Sequence, residues 1–258
     1  MFFDLADKLD VFNRVKYFDG PHEYYIDGVK VSLSATKLIS NAKKPFEKDY
    51  WAKKKADERG ITKAEIIAEW DYKAKVSTEK GTAFHNYVEN YLANRVFPYP
   101  EAKILSVPEF KGTDPVKDKF DRLTKLFDVF YSDIRGKLVP IKSEFVIGDK
   151  ELNIAGMIDQ IFFNRKEGKL QIWDWKTNKE ISTGNRWEHF LAPVSHLEVC
   201  ELNSYSLQLS IYKYLIEKHT GLEFGDSYLA WFNEENDKYK IIKTHDFRAE
   251  AMRLLKVA

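Results

Sequence analysis

Apolar and polar positions alternate most regularly in the middle of the chain, and that stretch predicts a β-hairpin. Met157 to Asn164 is rich in Ile and Phe, and Lys169 to Lys176 carries Leu170, Ile172, Trp173 and Trp175. Both runs suit a pleated, half-buried surface. Between them Arg165-Lys166-Glu167-Gly168 is a polar loop with glycine where the chain reverses. Successive side chains on a strand point to opposite faces. Met157, Asp159, Ile161 and Phe163 therefore share one face. Leu170, Ile172, Asp174 and Lys176 share one face of the second strand, with Gln171, Trp173 and Trp175 on the other. With residues 165–168 as the loop, Asn164 pairs with Lys169, and Asp159 and Asp174 stand opposite each other on faces that also carry aliphatic side chains.

The remaining pattern predicts helices and strands around this hairpin. Residues 1–18 read as a short helix with a rough apolar face (Phe2, Phe3, Leu5, Leu9, Val11, Phe12), and residues 22–31 as a hairpin turning at Asp27-Gly28. Ser34 is placed to cap a helix. Residues 81–92, with Phe84, Val88 and Leu92 at core spacing, read as a helix, as do 118–138 and 203–219. The four prolines in residues 97–115 mark a surface loop. Residues 139–147 read as a strand carrying Glu144, and Gly148-Asp149-Lys150 as the turn that follows, a register that sets Glu144 opposite Ala155. Residues 177–202 are irregular and too long for a plain connection. Two strands, at 226–232 and 239–244, and a closing helix at 249–258 complete the chain. The expected fold is α/β, a central mixed sheet flanked by helices. Residues 1–80 are expected to form an N-terminal helical and hairpin elaboration packed on a core of residues 81–258, the two making one compact unit.

Charge narrows the partners. The 41 basic and 40 acidic side chains leave a formal net charge of +1, so contact with a polyanion must come from local patches. Residues 43–63 hold such a patch: Lys43, Lys44, Lys48, Lys53, Lys54, Lys55, Arg59 and Lys63, interrupted by Phe46, Tyr50 and Trp51. Helical spacing there gives a basic face beside an aromatic one. It is either a solvated helix face or a wall that tracks phosphates and stacks on bases. The single cysteine, Cys200, excludes an internal disulfide and a cysteine-only metal cluster, and points to a reducing, cytoplasmic setting. No run approaches the length of a transmembrane helix, and the first residues lack the basic start of a secretory signal. No membrane partner is expected.

The hairpin carries the candidate chemistry. Carboxylates held opposite each other repel, and burying one without a partner is costly. Lys176 supplies one positive charge against two negative ones. A divalent cation bound by both carboxylates, with water and a substrate phosphate completing its shell, resolves the conflict and can activate a water for attack on phosphorus. His85, at the edge of the Phe84 stripe, reads either as a structural side chain or as a ligand.

The order of these pieces resembles the PD-(D/E)XK nuclease superfamily, in particular its RecB-like exonuclease branch. Gly81-x-x-x-His85 comes first, then a strand with Glu144, then Gly156-x-x-Asp159, Asp174-Trp175-Lys176, and a helix with Gln208-x-x-x-Tyr212. Ser34-Ala35-Thr36 and the stretch from Pro193 through Tyr212 also look like the mitochondrial genome maintenance exonuclease and phage-encoded members. The resemblance implies a restriction-endonuclease-like core and a metal-dependent DNA exonuclease acting on single strands or ends in replication, recombination or repair. It implies one or two Mg²⁺ or Mn²⁺ ions held by His85, Asp159, Asp174 and the carbonyl of Trp175. Lys176 positions the attacking water and stabilises charge on the phosphate. Gln208 and Tyr212 contact the DNA backbone or brace Lys176, and Glu144 matches a recurrent acid. Ser34, Thr36, Lys37, Trp51, Lys53 and Lys54 are the expected DNA contacts. A helicase, a recombinase or a single-strand-binding protein is the kind of companion implied, in a host cytoplasm if the chain is phage-encoded. One cysteine departs from relatives with a four-cysteine iron–sulfur cluster, so none is expected. A structure-specific endonuclease and a catalytically silent DNA-binding module of the same fold stand as alternatives.

Overall fold

The protein is described by a computed structural model covering residues 2–93 and 116–256. The proline-rich loop expected at 97–115 lies outside the described residues.

The N-terminal segment contains α1 (Phe2–Leu9), a 3₁₀ turn (Asp10–Arg14) and a small antiparallel sheet of β1 (Val15–Phe18), β2 (Glu23–Ile26) and β3 (Val29–Lys30). The helix expected over residues 1–18 thus gives way to a strand at Val15. A β-branched residue followed by Tyr17 and Phe18 favours the extended chain, and pairing with β2 satisfies its backbone.

The main sheet is mixed. Its order is β4 (Leu33–Ser34), β6 (Ile154–Asn164), β7 (Lys169–Lys176), β8 (Tyr228–Trp231) and β9 (Lys240–Lys243), with β5 (Leu138–Asp149) also paired to β6. The β4–β6 and β7–β8 pairs are parallel and the others antiparallel. The helices are α2 (Ala35–Asn41), α3 (Lys48–Arg59), α4 (Lys63–Leu92), α5 (Val116–Ile134), α6 (Glu201–Thr220) and α7 (Arg248–Leu255). Two cores separate the layers. Ile161, Phe163, Leu170 and Ile172 pack with α2, α6 and α7, whereas Phe162, Trp173 and Trp175 pack with Phe84 of α4 and Phe127 and Phe130 of α5. The period-two alternation read from the sequence is therefore the division between the two cores. Among the described residues, no helix is long and apolar enough to cross a membrane.

The central hairpin has the expected register, with Asn164 paired to Lys169 and Gln160 to Trp173. Asn164 Oδ1 accepts from the Lys166 and Glu167 amides, and Gly168 takes φ +65°, a conformation that glycine adopts without a Cβ penalty.

The preceding turn differs from expectation. β5 runs on to Asp149, which pairs with Ile154, and the reversal occupies residues 150–153. Gly148, not Glu144, is the partner of Ala155. Asp149 is the cause. Its Oδ1 accepts from the Glu151 and Leu152 amides, each at 2.9 Å, while Oδ2 meets Lys218 Nζ at 2.6 Å and His219 Nε2 at 2.9 Å. A carboxylate with 1% exposure and four donors fixes the strand end there.

The helix expected from Gly81 begins much earlier, at Lys63. A capping box between Thr62 and Glu65 starts it. The boundary expected between residues 80 and 81 falls inside α4.

Candidate active site

Three pieces of backbone make the site. β6 is flanked along its length by β5; on its other side β7 pairs with residues 160–164 and β4 with Ile154 and Ala155. Neither covers residues 156–159, so the sheet has a notch there, and Asp159 stands at its edge. Asp159 Oδ2 accepts the Trp175 amide at 2.7 Å, replacing a backbone carbonyl where the β6–β7 ladder ends. On β5, Ser143 pairs with Gln160 and Phe145 with Ile158, so Glu144 lies across from Asp159. α4 carries His85 to the same notch. His85 Nδ1 is 3.5 Å from Glu144 Oε1 and 3.7 Å from Asp159 Oδ2, and Nε2 is 3.2 Å from the Trp175 carbonyl oxygen.

Ligand atoms of His85, Glu144 and Asp159 lie within 4.8 Å of one another, as a metal site requires. Asp174 follows on β7, 3% exposed. The Lys176 ammonium sits against Asp174 Oδ2, off the line of a good hydrogen bond, so this buried oxygen has an ion-pair partner but no hydrogen bond. The other face of Lys176 is covered by the Tyr205 ring, 4.3 Å from Nζ to the centroid. Carboxylate oxygens of Glu144 and Asp159 and a ring nitrogen of His85, with the Asp174 carboxylate on the next strand, fit a hard divalent cation.

Electrostatics carry the same strain. Burial disfavours the charged His85 ring, but Asp159 and Glu144 outweigh it and push the pKa up to about 9. Burial pushes Asp174 up to about 6 against the pull of Lys176, with Asp159 adding to the rise. Burial also raises Asp159. Lys176 loses charge stability to burial but regains more from Asp174 and Asp159, so its proton is held more tightly than in an ordinary lysine. Crowded acids share too little positive charge, which is the state a bound cation relieves.

The family model of the PD-(D/E)XK nuclease superfamily matches residues 58–254. The chain belongs to the PD-(D/E)XK nuclease superfamily. No curated protein sequence matches it. A candidate exonuclease from Eubacterium rectale, known from a crystal structure, aligns with a TM-score of 0.42 and 12% identity over 70% of this chain and 64% of its own. The structure of SSO0001 aligns with a TM-score of 0.24 and 17% identity over 52% of this chain and 55% of its own. The chain spans less than two thirds of the length of either. As a member of a nuclease superfamily the chain carries a nucleic-acid hydrolase fold, and its His-Glu-Asp group can hold a metal ion.

The structure brings His85, Glu144, Asp159, Asp174, Trp175 and Lys176 together. Gln208 and Tyr212 sit beside the notch on α6. Gln208 Nε2 donates to the Tyr212 hydroxyl at 3.0 Å, and a Cβ built on Gly156 would lie 2.4 Å from Tyr212 Cε1. The glycine of Gly156-x-x-Asp159 thus lets α6 approach the sheet. Ser34 caps α2, accepting from the Lys37 amide at 3.1 Å; Thr36 and Lys37 are exposed on that helix. Trp51, Lys53 and Lys54 make their contacts on α3: Lys53 pairs with Asp57, and Lys54 lies 5.0 Å over Trp51. The basic face expected over residues 43–63 is largely neutralised, because Lys48 pairs with Asp71, Arg59 with Glu69 and Lys63 with Asp49. Tyr205 is the residue sequence reasoning missed. Its signal was its position three residues before Gln208 on the same helix face.

One backbone feature is testable. Glu144 has φ +44° within β5, a left-handed conformation that costs a residue with Cβ roughly 1–2 kcal/mol. Glu144→Gly should therefore be more stable than Glu144→Ala by about 1 kcal/mol in urea denaturation, the reverse of the order at an ordinary strand position. Equal midpoints would show that the position carries no strain.

Proposed function

We propose that the protein is a Mg²⁺- or Mn²⁺-dependent DNA exonuclease that hydrolyses phosphodiester bonds in single strands or at ends. The observation that supports this most is the convergence of His85, Glu144 and Asp159 on one notch, with the buried Asp174 carboxylate paired to the Lys176 ammonium on the neighbouring strand. Asp159, Asp174, His85 and the Trp175 carbonyl would hold the ion, and Glu144 is placed to join them. When bound, the ion neutralises the carboxylates and lowers the pKa of a water. Lys176, held in its charged form, acts as a donor to the phosphate oxygens rather than as a base, and stabilises charge that grows during attack. Tyr205 keeps the ammonium in place. Gln208, half-buried beside the notch, is the candidate contact to the sugar–phosphate backbone; Tyr212 is buried and braces Gln208 through its hydroxyl instead of touching DNA as expected.

The test is degradation of end-labelled linear and circular single strands with Mg²⁺ and with EDTA. Stepwise loss from one end of the linear strand, circles left intact and no products in EDTA are the expected results. Cut circles would instead make the protein an endonuclease. Binding without cutting of either substrate would make it a DNA-binding module. The same label reports polarity.

A further inference from the structure

We infer that the cleft between α2 and α6 is a phosphate subsite, where Lys43, Thr36 and Ser40 bind a phosphodiester of the substrate strand other than the scissile one. This rests on the proposed nucleic-acid substrate but not on turnover. Thr36, Ser40 and Lys43 follow one another at helical spacing along the α2 face and its end. Ser204 and Gln208 face them from α6 at i and i+4, and with Tyr205 they enclose a cleft of about 160 Å³. Among the described residues, no carboxylate lines this cleft. Tyr205 is its shared wall with the catalytic centre, since the same ring covers Lys176.

Among the described residues, Lys43 differs from most of the basic run in lacking an acidic partner, and from Lys44 and Lys54, which also lack one, in being half-buried while they are exposed. Lys48, Lys53, Lys55, Arg59 and Lys63 each have a carboxylate within 4.0 Å. Among the described residues Lys43 has none. Its half-buried ammonium donates to Ser204 Oγ at 2.8 Å and lies 5.5 Å from the Phe190 ring centroid. Ser204 in turn donates to the Cys200 carbonyl at 2.7 Å, so the hydroxyl is fixed and aims the lysine. An ammonium has three donors, and the two not used by Ser204 are open to an anion. Burial lowers the Lys43 pKa, while Glu201 and Glu188 act against that from farther away; a phosphate in the cleft would restore it. The neighbouring cavity of about 400 Å³ shares Lys43, Ser204 and Tyr205 with this cleft but has Glu201 in its wall, which opposes an anion there.

The experiment is fluorescence anisotropy of a labelled oligothymidylate in EDTA across a range of KCl concentrations. Lys43→Ala should weaken binding about tenfold at low salt and reduce the slope of log K against log [salt] by about 0.7, the value for one phosphate contact on a single strand. Lys43→Arg should restore the slope. Thr36→Ala/Ser40→Ala, which alters two exposed hydroxyls and is expected to fold normally, should weaken binding a few-fold with the slope unchanged. A wild-type slope in Lys43→Ala overturns the subsite, as does an oligothymidylate that fails to bind wild type at low salt. Cutting by wild type in Mg²⁺ is scored separately: a protein that cuts but shows no change of slope loses only the subsite, and one that shows the change but does not cut loses only the nuclease reading.

Discussion

Replacing Lys176 with Ala is expected to lower kcat on a single-stranded substrate by about 10²–10³-fold, the range for removing one charge-stabilising donor. The ion pair with Asp174 and the contact with Tyr205 both disappear. The metal-binding side chains remain, so Mg²⁺ should still raise the melting temperature of the variant. That second readout separates a donor to the phosphate from a residue that only holds the site together. If kcat is unchanged, Lys176 takes no part in the reaction. If the Mg²⁺ effect is lost with it, the lysine is a structural member of the metal site.

Asp159→Asn should have a different signature. The amide oxygen can still accept the Trp175 N–H, which Asp159 Oδ2 now accepts at 2.7 Å, so the end of the β6–β7 ladder is kept. The negative charge is removed and one acceptor oxygen becomes an NH₂ donor. A cation bound to the folded state stabilises it by about 2.7 kcal/mol at a hundredfold excess over Kd. Wild type should show that gain in Mg²⁺, and Asp159→Asn should lose most of it together with at least about 10²-fold in activity. Calorimetry with and without Mg²⁺ measures both states. A full Mg²⁺-dependent shift in Asp159→Asn would remove Asp159 from the ligand set.

The hairpin was legible because local chemistry sets it. Gly168 and Asn164 fix the loop, and the alternation of Ile, Phe and Trp fixes which face each residue takes. The register from Gln160–Trp173 to Asn164–Lys169, on which the expected opposition of Asp159 and Asp174 rests, follows from those alone. The position of Glu144 did not, since it depends on where β5 ends. That point is held by Asp149 through Lys218 and His219, partners on a helix distant in sequence. Gly148-Asp149-Lys150 has the composition of a turn, yet buried ion pairing keeps Asp149 in the strand.

Similar reasons hid other features. The basic run between residues 43 and 63 looked like an open cationic face. Lys53 and Lys55 are neutralised locally by Asp57 and Glu58, but the pairs of Lys48 with Asp71, Arg59 with Glu69 and Lys63 with Asp49 form only once α3 packs on α4. Lys43, left out of that pairing, had no distinguishing mark in the sequence. Tyr205 was hidden by the stronger signal of Gln208 and Tyr212. The first half of α4 is hard to read from sequence because much of it is exposed or half-buried, which leaves little apolar periodicity. His85 illustrates the limit of reading one element alone: a lone histidine beside a core stripe acquires meaning only when β5 and β6 bring Glu144 and Asp159 to it.

Anomalous diffraction from crystals grown with Mn²⁺ tests the central claim most directly. The account predicts an ion in the notch, within about 2.5 Å of oxygen atoms from Asp159 and Asp174 and of a His85 ring nitrogen. A Mn²⁺-containing crystal with no peak there, or with Asp174 still closed on Lys176 and the ion elsewhere, would contradict it.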